Sequence, residues 1–291
     1  MNNIVGYVEQ VSSNNFFRKM LEKIYCAISI EKYSFDKYII MVNSQQLTEN
    51  NLKKIVSKIK RNNINTVVLS NEMSKNKDYF INQGIYVIDG KYLMKNLLKD
   101  IILYIYQGNM ESISNDDLYV AIDDDTNAEI IVDTANLFKS LNIVTCRIKK
   151  LKRLDRRLES RSDVVYSITN NIRKGLKRAK IIINFDYDEG FFAEAKYNKD
   201  AIIINLYSKG LSLKNSFRGV LVENINIEYN QNCIEKEIFC KYNKTEILES
   251  SICNNSYKSV VELCKKYNCS ICNLIGRNNN ISIEEIKNIL S

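Results

Sequence analysis

Histidine, proline and tryptophan are absent from this chain, and glycine occurs only 9 times in 291 residues. Without histidine there is no imidazole to act as general base, metal ligand or middle member of a catalytic triad, so acid–base work would fall to Asp, Glu, Lys, Tyr or Cys. Long apolar runs are missing too. A membrane span needs roughly 18 consecutive apolar residues, and the longest candidate, 92–106, is broken by Lys95, Lys99 and Asp100. No basic segment followed by an apolar one opens the chain, so the expectation is a cytoplasmic protein with no membrane association. Its eight cysteines are then expected to be mostly reduced.

The apolar share of 45% and charged share of 26% are those of a folded, water-exposed protein, and 291 residues suggest two domains. The net charge of +8 favours anionic partners without identifying nucleic acid.

Strands alternating with helices run through the whole chain. Apolar runs at 4–8, 38–42, 66–69 and 85–88 read as strands, and helical periodicity appears at 14–27, 48–61, near 75–82 and at 91–106. That order predicts a parallel α/β domain over 1–108, with the polar stretch 107–117 as its boundary. A second α/β domain is expected over 116–230. Its elements are strands at 118–122 and 143–146 around a helix at 126–141, a helix at 162–178, strands at 180–184 and 201–206, and an extended run at 219–229. The phrase Ile-Ile-Ile-Asn occurs at 181–184 and again at 202–205, as expected of two buried parallel strands that end in a polar residue. The segment 244–291 reads as a helix, strand and helix packed on one of the domains, the last helix opened by Ser282 with Glu285 at capping-box spacing.

The stretch 118–147 organises the second domain. A strand, a turn and a helix in this order can hold a dinucleotide when the turn reads G-x-G-x-x-G/A, because glycines let the backbone approach a pyrophosphate at the helix N-terminus. Here Asp123, Asp125 and Ala128 hold those positions, so both turn glycines are replaced by carboxylates. A helix N-terminus accepts such carboxylates as readily as a ligand anion. Thr126 and Glu129 have capping-box spacing, and Asp124 and Asp125 lie beside the same helix end.

The runs DLYVAIDDDTNAEIIVDTANLFKSLNIVTCRIKK, LKRAKIIINFD and KDAIIINLYS together resemble the cofactor domain of the shikimate dehydrogenase and amino-acid dehydrogenase-like families. The resemblance covers about 116–230 in order of elements and implies a Rossmann-like second domain with NADP as the cofactor to consider. It would put Arg147 and Lys149, which follow the second strand, on a 2′-phosphate and Thr126 or Asn127 near the pyrophosphate. The Lys and Asp pair that these dehydrogenases use on substrate has no counterpart in residues 1–108.

Other constellations bear on function. Lys149, Lys150, Lys152, Arg153, Arg156, Arg157 and Arg161 give the segment 147–161 an anion-binding character, opposed only by Asp155 and Glu159. No aromatic residue is interleaved for base stacking, so the expected partner is an anionic small molecule or an acidic protein surface, and nucleic acid is disfavoured. Asp123 and Asp125 after one strand, and Asp186 and Asp188 after another, could together hold Mg²⁺ or Ca²⁺. The spelling Asp123-Asp124-Asp125-Thr126-Asn127 also comes near the D-x-D-x-T/V signature of haloacid-dehalogenase-type phosphatases. Gly90-Lys91 lacks the upstream glycine of a phosphate loop and reads as a turn. Cys264, Cys269 and Cys272 are spaced C-x₄-C-x₂-C, but a helix end separates them from the following strand, which favours small buried residues.

The fold expected is two parallel-sheet α/β domains, the second Rossmann-like, with a C-terminal helix, strand and helix. The function expected is non-catalytic or regulatory, with no bound cofactor. An NADP-dependent oxidoreductase is the first alternative, and a metal-dependent phosphoryl-transfer enzyme using the acidic loops is the second.

Overall fold

Isoleucine and valine runs set the strands, and the helices between them bury one apolar face each. The computed structural model describes residues 4–11, 26–34, 37–44, 47–161, 163–230, 241–252, 256–277 and 279–290. The chain divides into two units, residues 1–89 with 231–253 and residues 90–230 with 254–291. The helix expected at 14–27 falls almost wholly outside the described residues.

In the first unit, β1 (Val5–Val11), β2 (Ala27–Ser34), β3 (Lys37–Asn43), β4 (Thr66–Leu69) and β5 (Tyr86–Ile88) form a sheet of order β2-β3-β1-β4-β5. All neighbours are parallel except β2 and β3. Only two residues separate those two strands, too few for a crossover, so they pair as an antiparallel hairpin. Strand β2 was not expected from the sequence. Helix Glu49–Arg61 repeats Leu52, Ile55, Val56 and Ile59 toward the sheet, is capped by Thr48, and ends in Lys58, Lys60 and Arg61, where the helix dipole favours cations. Helix Lys244–Ile252 also belongs to this unit, where the Ser250 hydroxyl meets that of Tyr7 at 2.6 Å.

The second unit holds β6 (Asp117–Ala121), β7 (Ser140–Val144), β8 (Val165–Thr169), β9 (Ile181–Asn184), β10 (Ile202–Asn205) and β11 (Val220–Val222). They form one parallel sheet of order β11-β10-β9-β6-β7-β8. Read from the other edge, this is the 3-2-1-4-5-6 order of a doubly wound Rossmann sheet. The chain winds outward in both directions from the β6–β9 pair, so the loops after those two strands face one crevice.

Several sequence expectations change here. Residues 162–178, read as a helix, contain the edge strand β8 and a short helix, Ile172–Gly175. The run Val-Tyr-Ser-Ile-Thr pairs with β7 along its whole length, and that ladder overrides a helical periodicity that had no core face to bury. Helix 126–141 shortens to Ala128–Ala135, and β7 begins at Ser140. Helix 91–106 is interrupted at Leu97, giving Lys91–Asn96 and Leu98–Ile105, and the polar stretch after it forms another helix, Met110–Asn115. The basic segment contains helix Lys152–Arg161, whose Leu154 and Leu158 are buried.

The extended run 219–229 splits between two sheets. Its first part is β11, and its second, β12 (Asn224–Glu228), pairs antiparallel with β13 (Ser270–Ile275), which in turn pairs with β14 (Asn280–Ile281). Ser282 and Glu285 form the reciprocal capping box of the last helix, Ile283–Leu290. Among the described residues no helix is long and apolar enough to cross a membrane.

Candidate functional site

The repeated Ile-Ile-Ile-Asn phrases lie side by side. Ile181 pairs with Ile202 and so on to Asn184 with Asn205, which puts two fully buried amides together at the crevice end of β9 and β10. Buried amides are tolerated only when hydrogen-bonded. Asn184 Nδ2 donates to Asn205 Oδ1 (2.9 Å) and to the Tyr187 carbonyl (2.7 Å), and the Tyr187 N–H returns a bond to Asn184 Oδ1 (3.1 Å). Asn205 Nδ2 donates to the Lys209 carbonyl at 3.0 Å. These bonds set the shape of both loops that follow.

Asn184 thereby delivers Asp186 to the turn after β6. The Asp123 N–H donates to Asp186 Oδ2 at 3.0 Å, with the Asp124 N–H nearby. In a dinucleotide-binding turn those amides would face phosphate oxygens. Here an internal carboxylate meets them. Asp186 is half-buried, and desolvation pushes its pKa up, opposed by the two amides and by Lys95 nearby.

Each remaining acid of the turn also has a defined partner. Asp123, 17% exposed at its side chain, accepts a bidentate pair from Arg147 (Nε at 2.8 Å, and Nη2), with Lys150 Nζ at 4.0 Å. Asp124 accepts from the Thr126 N–H at 2.8 Å, and hydrogen bonding from the Thr126 hydroxyl first, and from its N–H second, holds the Asp124 pKa below the usual carboxylate range. Asp125 accepts from the Arg153 N–H at 2.9 Å, so it caps helix Lys152–Arg161. Across the crevice Asp188 caps helix Glu189–Glu194 through the Gly190 and Phe191 N–H groups.

The Thr126–Glu129 capping box does not form. Asn127 occupies the N-cap of helix Ala128–Ala135 without a side-chain bond, while Asp124 takes the Thr126 N–H. Ala128, at the third position of the glycine pattern, is 1% exposed, a packing that requires a small residue. Lys149 is exposed in the turn Ile148–Lys150.

Tyr187 is a site residue that sequence reasoning missed. Its hydroxyl accepts from the Cys146 N–H (2.7 Å) and donates to the Ile122 carbonyl (3.1 Å), while its ring stacks on Phe191 with centroids 4.0 Å apart. It therefore bridges the ends of β6 and β7, between the residues expected near a pyrophosphate and a 2′-phosphate. Lys91 is another. Its ammonium donates to the carbonyls of Asn205 (2.6 Å) and Glu223 at the ends of β10 and β11. The signal for both was the Ile-Ile-Ile-Asn repeat, since paired asparagines at strand ends mark loops held from beneath.

Asp123, Asp125, Asp186 and Asp188 thus serve an ion pair, two helix caps and an amide nest. Among the described residues no three carboxylates or thiols gather closely enough to hold a metal ion. In this turn the Asp123 amide meets a carboxylate from within, and the nearest guanidinium is paired.

No protein-family model matches this chain, and neither does any curated protein. Solved structures similar to it include L-tryptophan dehydrogenase from Nostoc punctiforme, over 92% of this chain and 81% of that one, with TM-score 0.38 and 9% identity. Shikimate dehydrogenase from Aquifex aeolicus aligns over 90% and 97%, with TM-score 0.32 and 9% identity. The A chain of dipicolinate synthase from Bacillus subtilis aligns over 69% and 66%, with TM-score 0.35 and 14% identity. At these values the likeness assigns no residue a role.

Proposed function

We propose that this chain is a non-catalytic, regulatory protein on a Rossmann-like scaffold whose dinucleotide turn is occupied by its own side chains. The observation that carries this reading is the Asp186 carboxylate seated on the Asp123 N–H, with Asp123 itself paired to Arg147. A pyrophosphate entering the turn would meet two carboxylates and would have to displace both. Calorimetric titration with NAD⁺, NADH, NADP⁺ and NADPH is expected to show no binding tighter than about 1 mM, a free energy of only about 4 kcal/mol. Micromolar binding would overturn the proposal.

The partner of such a protein would be an acidic protein surface. Lys149, Lys150, Lys152, Arg153 and Arg156 are exposed around the turn after β7 and the helix that follows it, and Arg147 and Arg157 are paired with Asp123 and Glu129. Polyglutamate is expected to bind at low salt and to release as the salt rises. Combined Lys152→Glu, Arg153→Glu and Arg156→Glu should abolish that binding, and an unchanged affinity would remove the assignment.

One observation favours a second reading, an NADP-dependent oxidoreductase. Arg147, Lys149 and Lys150 follow β7, where a 2′-phosphate would lie. Under that reading NADPH binds at micromolar concentration, and replacing Arg147 and Lys149 with Ala costs roughly 1.5–3 kcal/mol per contact.

A further inference from the structure

The sequence separates Cys264, on helix Tyr257–Lys266, from Cys269, which leads into β13. The turn between them cancels that separation. Asn268 takes a left-handed backbone conformation (φ 50°), the Cys269 N–H reaches back to the Cys264 carbonyl at 2.9 Å, and the Asn268 N–H bonds the Lys265 carbonyl at 3.1 Å. This pair of bonds is a Schellman closure, which lays the residue after the left-handed position over the one five places before it. The two residues are thereby brought side by side at the end of the helix.

Their surroundings differ in a useful way. Cys264 is 5% exposed, whereas Cys269 is half-buried. Both line a groove of about 810 Å³ with Asp100, Tyr257, Lys258 and Lys265, so a small molecule can reach the more open thiol. The hydrogen bond from Cys264 holds the Cys269 pKa below the ordinary thiol value, against desolvation and the Asp100 carboxylate. The same bond, with burial, pushes Cys264 up. A sulfur must be reached by its disulfide partner to attack it, so the greater exposure of Cys269 assigns it the first attack, and the direction of its pKa agrees.

We infer that Cys264 and Cys269 form a reversible dithiol–disulfide site reached through this groove, with Cys269 the attacking sulfur and Cys264 the resolving one. The co-reactant is a low-molecular-weight disulfide, RSSR. Cys269 Sγ attacks one of its sulfurs, the S–S bond breaks, a mixed disulfide forms and RS⁻ leaves. Cys264 then gives up its proton and attacks Cys269 Sγ, closing the intramolecular bridge and releasing the second RS⁻. The two thiolates take up the two protons lost by the cysteines, so the dithiol is oxidised by two electrons and RSSR is reduced to two RSH. Because a backbone bond already holds the two residues side by side, closure needs side-chain rotation and little backbone movement.

The test uses the full chain, reduced, equilibrated with glutathione buffers of defined ratio, alkylated with iodoacetamide and mapped by mass spectrometry. Lys265 and Lys266 lie between the two cysteines, so trypsin separates them and the bridge is read as a linked peptide pair. Expected is a single transition from two alkylated thiols to a Cys264–Cys269 linked pair as the buffer becomes more oxidising. Cys264→Ser should accumulate a glutathione adduct on Cys269, and Cys269→Ser should leave Cys264 without one. The assignment fails if wild-type Cys264 and Cys269 both remain alkylated throughout, if either bridges to Cys272 instead, or if Cys264→Ser carries no adduct on Cys269. The wild-type map decides the question even where a variant fails to fold.

Discussion

Asp186 receives the Asp123 N–H in a half-buried position, yet desolvation still raises its pKa. Glu246 shows the same balance more strongly. Half-buried, with Asp89 and Glu249 nearby and only Lys77 opposing, it is pushed up to about 8, with desolvation the leading cause. Its ordinary value is 4.5, so between those two pH values the folded state binds more protons than the unfolded state. The contribution of Glu246 to stability is therefore complete below the lower value and is lost as the pH rises through the upper one, at roughly 1.4 kcal/mol per pKa unit. Urea unfolding of Glu246→Gln should show a higher midpoint than wild type at about pH 9, a smaller difference at about pH 5, and a flatter pH dependence between them. Parallel pH profiles for the two proteins would refute this account. Asp188 serves instead as a helix cap. Removing it in Asp188→Ala should cost about 0.5–2 kcal/mol in the same assay.

Elements here are decided by what their apolar residues can reach. Helix Lys152–Arg161 is strongly basic, yet it packs beside helix Ala128–Ala135 and buries Leu154 and Leu158 to 0% and 1% exposure. Leu158→Ala should destabilise the protein by roughly 2–5 kcal/mol, whereas charge reversal on the outer face should leave stability nearly unchanged. Strand β11 depends on a glycine for another reason. A Cβ at Gly219 would lie 2.0 Å from the Ala201 carbonyl oxygen, and a backbone atom cannot swing aside as a side chain can. Gly219→Ala is expected to cost at least about 1–3 kcal/mol, the range for forced overpacking. A smaller loss in calorimetric unfolding would mean that β11 can shift from β10.

For the molecule as a whole, the acidic loops make a prediction that any melting assay can check. Asp123, Asp125, Asp186 and Asp188 are each held by an internal partner, so millimolar Mg²⁺ or Ca²⁺ should not raise the melting temperature. A metal-dependent rise lost in both Asp123→Asn and Asp186→Asn would show that the carboxylates converge on a cation after all.

The doubly wound sheet and the acidic character of its turn were legible in the amino-acid order. Buried parallel strands need continuous runs such as Ile181–Asn184, and the absence of glycine from positions 123 and 125 is a fact of composition. Local periodicity carries that information because it depends on neighbours a few residues apart. The edge strand β8, the sharing of 219–229 between two sheets and the contact of Cys264 with Cys269 were not legible. Each depends on pairing or closure that the periodic pattern does not encode. The same holds for the site. The sequence alone determined that carboxylates replace the turn glycines, but only the tertiary structure decided that Asp186 would fill the amide nest and Arg147 would pair with Asp123. Those partners lie 63 and 24 residues away in the chain, and only the strand order brings them together.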